Sequence, residues 1–213
     1  MQQQNIQQDG LAGLLATNPF AGFLPWIAFM VIAGPRTFEP AAVVALALAV
    51  GLAAAGLALG VGVKLLDVAG ILFFAALALL GAAGGADLRA TLEDSASAIS
   101  SFALGVVALG SLALGRPFTL DYAKQSTPQQ YWDGPRFLHT NQVLTAVWGA
   151  AFLASGIISW AGEQWAGDNV WTQWVIPIVL VIGALRFTRW YPEQVRTAAA
   201  ERAEGSRAER TAG

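Results

Sequence analysis

The feature that most constrains this chain is a series of long apolar runs that lack a polar face. Residues 41–63, AAVVALALAVGLAAAGLALGVGV, contain no charged, amide or hydroxyl side chain. A helix of a water-soluble protein carries a polar stripe that repeats about every 3.6 residues, and this run has none. Runs of this length and uniformity are typical of helices that cross a lipid bilayer.

The composition supports a membrane protein and excludes several classes of site. Charged residues make up 12% of the 213 positions, whereas soluble domains contain about 25%. The net charge of −2 gives no basis for nucleic-acid binding, so the predicted partner is the lipid bilayer. With no cysteine and a single histidine, disulfides, thiolate ligands and a multi-histidine metal site are excluded within this chain. The sequence indicates no cofactor.

A helix needs about 20 apolar residues to cross about 30 Å of hydrocarbon, and the sequence offers six candidate stretches. We therefore predict an all-α membrane protein, a bundle of six transmembrane helices at residues 19–33, 41–63, 68–86, 95–115, 140–162 and 169–185. Residues 1–18 form a predicted cytoplasmic and interfacial segment, in which 11–17 lie at the membrane surface. The membrane domain covers 19–189 with a cytoplasmic loop at 116–139, and 190–213 form a polar cytoplasmic tail.

The distribution of basic residues predicts the orientation. An even number of spans places both termini on one side, and cytoplasmic loops carry an excess of lysine and arginine. Ten of the twelve basic residues fall on the side of the termini: Lys64, Arg116, Lys124, Arg136, Arg186, Arg189, Arg196, Arg202, Arg207 and Arg210. Arg36 and Arg89 fall on the other side. We therefore predict that both termini lie in the cytoplasm. The abundance of alanine, glycine and arginine suggests a bacterial source, so we predict a multi-pass protein of a bacterial inner (plasma) membrane.

A polar segment, LGRPFTLDYAKQSTPQQYWDGPRFLHTNQ at residues 114–142, separates the fourth and fifth spans. Pro117 is expected to end the fourth span, and Thr119 to cap a short helix. Thr127 and Pro128 are expected to start a second short helix. Pro135 then begins a helix that continues into the fifth span. The segment therefore reads as two short interfacial helices on the cytoplasmic surface.

The same segment holds the first group of candidate substrate-binding residues. Charged and polar side chains gather next to two span ends, which favours a site for a small polar or anionic ligand. These residues are Arg116, Asp121, Tyr122, Arg136, His139 and Asn141. The alternative interpretation is that the basic residues only anchor the topology.

Three further residues, in two regions of the chain, complete the candidate set. Lys64 and Asp67 are three residues apart at the junction of the second and third spans, where they can pair. They mark either a solute pathway or a plain ion pair at the cytoplasmic rim. Arg36 lies in the loop after the first span, on the opposite side of the membrane, where it would flank a solute route.

Three functional classes remain open on the sequence alone. A small permease or transport-related protein, acting on a small polar or anionic solute, is the first hypothesis. A non-catalytic accessory subunit or envelope-organising protein is the second, and either one would work as a homodimer or in a larger membrane complex. A membrane enzyme is the third and the least favoured, because no nucleophile elbow, Walker loop or zinc-binding helix motif is present.

Part of the chain resembles known membrane proteins. GRPFTLDYAKQSTPQQYWDGPRF, followed by Asn141, Thr145, Trp148 and Gly149 in an N-x-x-x-T-x-x-W-G pattern, resembles bacterial multi-span inner-membrane proteins without an assigned function. KLLD followed by ILFF at the start of the third span loosely resembles the intracellular septation protein A group. That resemblance implies a role in envelope maintenance. It covers about the middle half of the chain and carries over no functional residue.

Overall fold

The computed structural model describes residues 21–34, 36–165 and 169–212, and these ranges contain helices and connections without any strand. The α-helices are α1 Leu24–Ile32, α2 Phe38–Ala58, α3 Leu65–Ala83, α4 Ala86–Asp94, α5 Ala96–Ala113, α6 Leu120–Ser126, α7 Pro135–Trp165 and α8 Ile176–Ala212. Short 3-10 turns occupy Ala21–Phe23 and Gln129–Tyr131, and a π-helical turn, Trp171–Val175, leads into α8.

Five helical segments of the described chain are long and apolar enough to cross a membrane. They are Phe38–Ala58, Leu65–Ala83, Ala96–Ala113, Pro135–Trp165 and Trp171–Ala198. Each overlaps one of the predicted spans two to six. The fold is therefore that of a membrane-embedded, multi-helix protein.

The predicted first span is shorter in the structure than a membrane crossing. The apolar helical stretch Ala21–Ile32 rises about 18 Å at 1.5 Å per residue, whereas the hydrocarbon core is about 30 Å thick. Pro19 and the predicted interfacial stretch 11–17 lie outside the described residues. The count of six spans thus stays a prediction.

The surface of the bundle is apolar, and α2 contributes mostly small side chains to the interior. Leu72, Leu79 and Val106 are 67–69% exposed, although large exposed apolar patches are rare on soluble monomers. By contrast, α2 buries the alanines at positions 41, 42, 45 and 49. Aliphatic side chains outside and small residues between helices are the arrangement expected in lipid.

The first three helices pack around an aromatic cluster. Phe29 of α1 lies 5.7 Å from the ring of Phe38 at the start of α2, and 5.4 Å from that of Phe74 in α3. Trp26 lies 5.0 Å from Phe74 and stacks on Phe73 at 4.8 Å. Trp26, Phe29, Phe38 and Phe74 are almost fully buried. They fix the short α1 along the first half of α3.

The helices α5, α7 and α8 form the other half of the bundle, and α5 approaches α7 through glycines. A Cβ atom at Gly149 would collide with Leu109, and one at Gly105 would collide with Leu153. Glycine at these positions therefore allows the two helix backbones to come close together. Helix α8 packs on the opposite side of α7.

Helix α4, which the sequence did not predict, covers the end of α3. Arg89 donates a hydrogen bond from Nε to the carbonyl oxygen of Gly81 at 2.6 Å, and forms an ion pair with Glu39 at 2.8 Å. A guanidinium is favourable at the carbonyl end of a helix. Arg89, one of the two basic residues predicted on the side opposite the termini, thus has a structural role.

The connection after α5 differs in part from its prediction. As expected, α5 ends just before Pro117, and Gly115 takes a left-handed conformation, φ 70°, that suits a helix terminus. Helix α6 begins after Thr119 as predicted, but Thr119 does not cap it with its side chain. The predicted second helix is only the 3-10 turn Gln129–Tyr131, and Thr127 does not cap it.

Candidate functional site

A cavity of about 960 Å³ opens among α6, the turn that follows it, the first half of α7 and the middle of α8. Most of its wall is apolar. The aromatic side chains that line it are Phe23, Phe118, Tyr122, Tyr131, Phe137 and Trp148. A volume of this size falls within the range of about 300–1,000 Å³ that is typical of small-molecule sites.

The cavity exists because α7 and α8 continue past the end of α5. Ala108 and Leu109 of α5 lie against Gly149, and α5 ends at Ala113. Helix α7, however, begins about four turns before Gly149. Helix α8 likewise continues beyond Thr188, and the space between the two extensions is closed by α6 and the turn.

The two ends of the cavity differ in chemistry. The inner end is a floor made by Phe23 and Trp148, which stack with centroids 5.3 Å apart, and by Phe118 at 6.4 Å from Phe23. The outer end carries the exposed side chains of Arg136 and Arg196. Along α7, the rise from Arg136 to Trp148 is about 18 Å. The cavity is therefore apolar at depth and basic at its mouth.

A line of hydrogen bonds holds α6 against α7 in the cavity wall. The Thr119 hydroxyl lies 3.0 Å from the carbonyl oxygen of Asn141, to which it donates, and 2.9 Å from the Thr145 hydroxyl. The Asn141 amide donates to the carbonyl oxygen of Phe137 at 2.9 Å. Asn141 is only 2% exposed, and its Oδ1 has no hydrogen-bond partner among the described residues.

A second polar group, the α3 cap cluster, consists of Lys64, Asp67, Asp121 and Tyr122. The backbone N–H of Lys64 donates to Asp67 Oδ2 at 2.9 Å, and the N–H of Leu65 donates to Asp121 Oδ2 at 2.9 Å. Both carboxylates thus satisfy free N–H groups at the start of α3. Because Asp121 belongs to α6, its bond also ties the cavity wall to α3.

The charges in this cluster are partly shielded from solvent. Burial lowers the pKa of the Lys64 ammonium from its ordinary value, although Asp67 and Asp121 act in the opposite direction. Lys64 Nζ lies 5.0 Å from the centroid of the Tyr122 ring, in a cation–π arrangement. Burial, together with Asp67 and Asp121, raises the pKa of the Tyr122 hydroxyl. Beside Lys64 and Asp67 lies a cavity of about 10 Å³, room for about one water molecule.

The structure separates the predicted site residues into three sets. Tyr122, Arg136 and Asn141 line the large cavity, whereas Lys64, Asp67 and Asp121 form the α3 cap cluster with Tyr122. Tyr122 therefore belongs to both groups, and the two candidate regions of the sequence are neighbours in space.

The third set consists of predicted residues that line neither cavity. Arg116 and His139 are exposed and do not contribute to the wall. Arg36 is exposed in the α1–α2 turn with φ 74°, and it too is absent from the cavity wall. Among the described residues, no group of three or more histidine, aspartate or glutamate side chains is placed to hold a metal ion.

Several lining residues were not among the sequence candidates. Phe23 was read as part of a span, and Thr188 and Arg196 as a span end and a solvated tail. Thr188 and Arg196 reach the cavity because α8 remains helical through Pro192, which was not predicted from the sequence. The Trp148 indole donates to the Thr188 hydroxyl at 3.0 Å, and this bond fixes α8 beside the cavity floor.

The chain was compared with protein-family models, with curated proteins and with solved structures, and none of the three comparisons found a match. The resemblance to the septation protein group thus stays a prediction.

Proposed function

We propose that this chain is a six-span plasma-membrane protein, with both termini in the cytoplasm, that binds a membrane-soluble solute from the cytoplasmic side as part of a transport-related function. The observation that carries the proposal is the cavity of about 960 Å³ between α6, α7 and α8. A space of this size with an apolar wall suits a ligand of substantial hydrocarbon character. A fully polar solute, which the sequence favoured, would lose its hydration against this wall.

The side of entry follows from the predicted orientation. Arg136 and Arg196 line the outer end of the cavity, and both belong to the group of ten basic residues assigned to the cytoplasm. The inner end is closed by Phe23, Phe118 and Trp148. A ligand therefore enters from the cytoplasm or the adjacent leaflet.

A second candidate function is that of an accessory subunit in a larger membrane complex. The exposure of the last long helix supports this function, because only 11% of the most apolar 18 residues within Trp171–Ala198 are buried inside the chain. Ile178, Val179 and Ile182 are about half exposed on it. This face contacts either lipid or a partner helix, and stable co-extraction of one protein in fixed proportion would favour the second function.

Cavity occupancy can be tested by native mass spectrometry of the full-length protein extracted in a mild, uncharged detergent. We expect a small molecule to remain bound to the wild type and to be lost from Leu144→Trp, since Leu144 lines the cavity and the larger indole ring would obstruct the ligand. Leu72→Trp is the matched control, because Leu72 is 67% exposed on the outer surface. Equal spectra for all three proteins, without a bound molecule, would refute the proposal.

Access to the cavity can be tested with single cysteines, since the natural chain has none. Thr140→Cys lies in the wall, and Gln130→Cys lies on the exposed turn outside it. A membrane-impermeant thiol reagent should label both in inside-out vesicles and neither in intact cells. Labelling of Thr140→Cys in intact cells would contradict the cytoplasmic opening.

A further inference from the structure

From the two ends of the cavity we infer the chemical class of its ligand: an anionic amphiphile, with a carboxylate or phosphate head at Arg136 and Arg196 and a hydrocarbon body on the aromatic floor. This inference deepens the proposed function and depends on it.

The mouth of the cavity supplies the head-group site. Arg136 comes from the start of α7 and Arg196 from the middle of α8, so two arginines on different helices line the same cavity. Neither arginine forms an ion pair among the described residues, where the ion pair found is that of Arg89 with Glu39. Guanidinium groups bind carboxylate and phosphate through paired N–H donors. The mouth therefore favours an oxyanion over a neutral or cationic head.

The depth of the cavity supplies the site for the body. Phe23, Phe118 and Trp148 present ring surface at the inner end, and Leu144 and Val195 add aliphatic surface on the way. Burying apolar area contributes about 25 cal/mol per Å². A short anion such as acetate would leave this surface uncovered, so a longer chain is required.

The position of the cavity matches such a molecule as well. Its polar end lies where α7 and α8 extend past α5, and its floor lies level with the first turns of α1 and α3, where Gly22 adjoins Leu66 and Tyr122. An amphiphile in the cytoplasmic leaflet has its head and its chain in the same order along the membrane normal. It can enter the cavity without inverting.

The inference can be tested with four probes on the full-length protein: dodecyl phosphate, lauric acid, dodecanol and dodecyltrimethylammonium. Their one-to-one binding would be followed by native mass spectrometry in an uncharged maltoside detergent. We expect dodecyl phosphate and lauric acid to bind at least about tenfold more tightly than the other two, which corresponds to about 1.4 kcal/mol. Equal binding of all four probes would overturn the assignment of the head.

Variants locate the two parts of the ligand. Arg136→Gln with Arg196→Gln should weaken binding of the anions about tenfold and leave dodecanol unchanged. Arg116→Gln with Arg186→Gln is the matched control, because these exposed arginines do not line the cavity. If the control pair weakens the anions as much as the first pair, the effect is general electrostatics and the inference is wrong. Retained anion binding in Leu144→Trp would also exclude this cavity as the site.

The molecules that co-purify with the wild type separate the sources and the two proposals. A free fatty acid or a lysophospholipid released on denaturation, and absent from Leu144→Trp, supports the inference and identifies the source. A neutral molecule bound in the cavity, with no preference for the anionic probes, would refute the inference and leave the proposed function standing. An empty cavity that binds no probe would refute both.

Discussion

At the scale of single residues, the α3 cap cluster illustrates how charges can be kept at the edge of an apolar bundle. Lys64 and Asp67 are each only 7% exposed, and burial of an isolated charge is very unfavourable. Here both carboxylates accept N–H groups that the start of α3 leaves free. The Lys64 ammonium lies over the Tyr122 ring and near both carboxylates, so the charges compensate one another.

The cap supplied by Asp121 should contribute measurably to stability. Asp121→Ala removes the acceptor of the Leu65 N–H, and loss of such a cap costs about 1–2 kcal/mol. We expect a lower unfolding temperature in detergent for this variant than for the wild type. Asp133→Ala, at an exposed position in the turn before α7, is the control and should have little effect.

The lowered pKa of Lys64 predicts a dependence of stability on pH. Because the folded-state pKa lies below the unfolded value of 10.5, the unfolded chain binds more protons between these two values, and stability rises with pH there. Melting curves recorded as the pH rises toward 10.5 should show this rise in the wild type and a smaller one in Lys64→Met. Parallel curves for the two proteins would show that Lys64 does not cause the rise.

Two glycines on different faces of α5 should differ sharply in their tolerance of a methyl group. Gly105→Ala would place a Cβ against Leu153, whereas a Cβ at Gly110, on the same helix, meets nothing within 4 Å. Overpacking of this kind costs roughly 1–3 kcal/mol. We expect Gly105→Ala to lower the unfolding temperature and Gly110→Ala to leave it unchanged or raise it. Equal effects would mean that α5 and α7 are not in close contact at Gly105.

At the scale of helices, long apolar runs are easier to predict from the sequence than the residues at which helices begin and end. Residues 41–63 overlap Phe38–Ala58, and Pro135 begins α7 as expected. Helix α8 continues past the predicted span end at residue 185 and through Pro192. Proline lacks an N–H and disfavours the helical conformation of the preceding residue, but it does not always end a helix. Helix α4 was missed, since its mixed sequence ADLRATLED was read as a loop.

The contact between α7 and α8 at the cavity floor can be tested through one hydrogen bond. Thr188→Val keeps the shape of the side chain but removes the acceptor of the Trp148 indole N–H, at a cost of about 1 kcal/mol or slightly more. We expect a lower unfolding temperature and weaker ligand retention. Thr197→Val, whose exposed hydroxyl bonds only to its own helix, should show neither change.

At the scale of the whole molecule, the class of fold was predictable and the site was predictable only in part. Composition and periodicity identify the lipid-facing helices because each signal lies within one helix. The cavity instead depends on contacts between distant positions, such as the bond from the Leu65 N–H to Asp121. Tyr122, Arg136 and Asn141 were therefore found as polar residues in one segment, while Phe23 and Arg196 were not found.

At the same scale, the location of the N-terminus distinguishes a five-span topology from a six-span topology, because the two differ only in whether α1 crosses the membrane. Five helical segments are long and apolar enough to cross, which is an odd number, so the N-terminus is expected to share the side of the C-terminus only if the stretch through Ala21–Ile32 also crosses. We expect fluorescent-protein fusions at either end to be active in the cytoplasm and alkaline phosphatase fusions to be inactive. Asp87→Cys, exposed on α4, should react with an impermeant thiol reagent in spheroplasts. An active phosphatase at the N-terminus alone would show that α1 does not cross. A phosphatase active at the C-terminus would instead reverse the whole orientation and place the mouth of the cavity outside the cell.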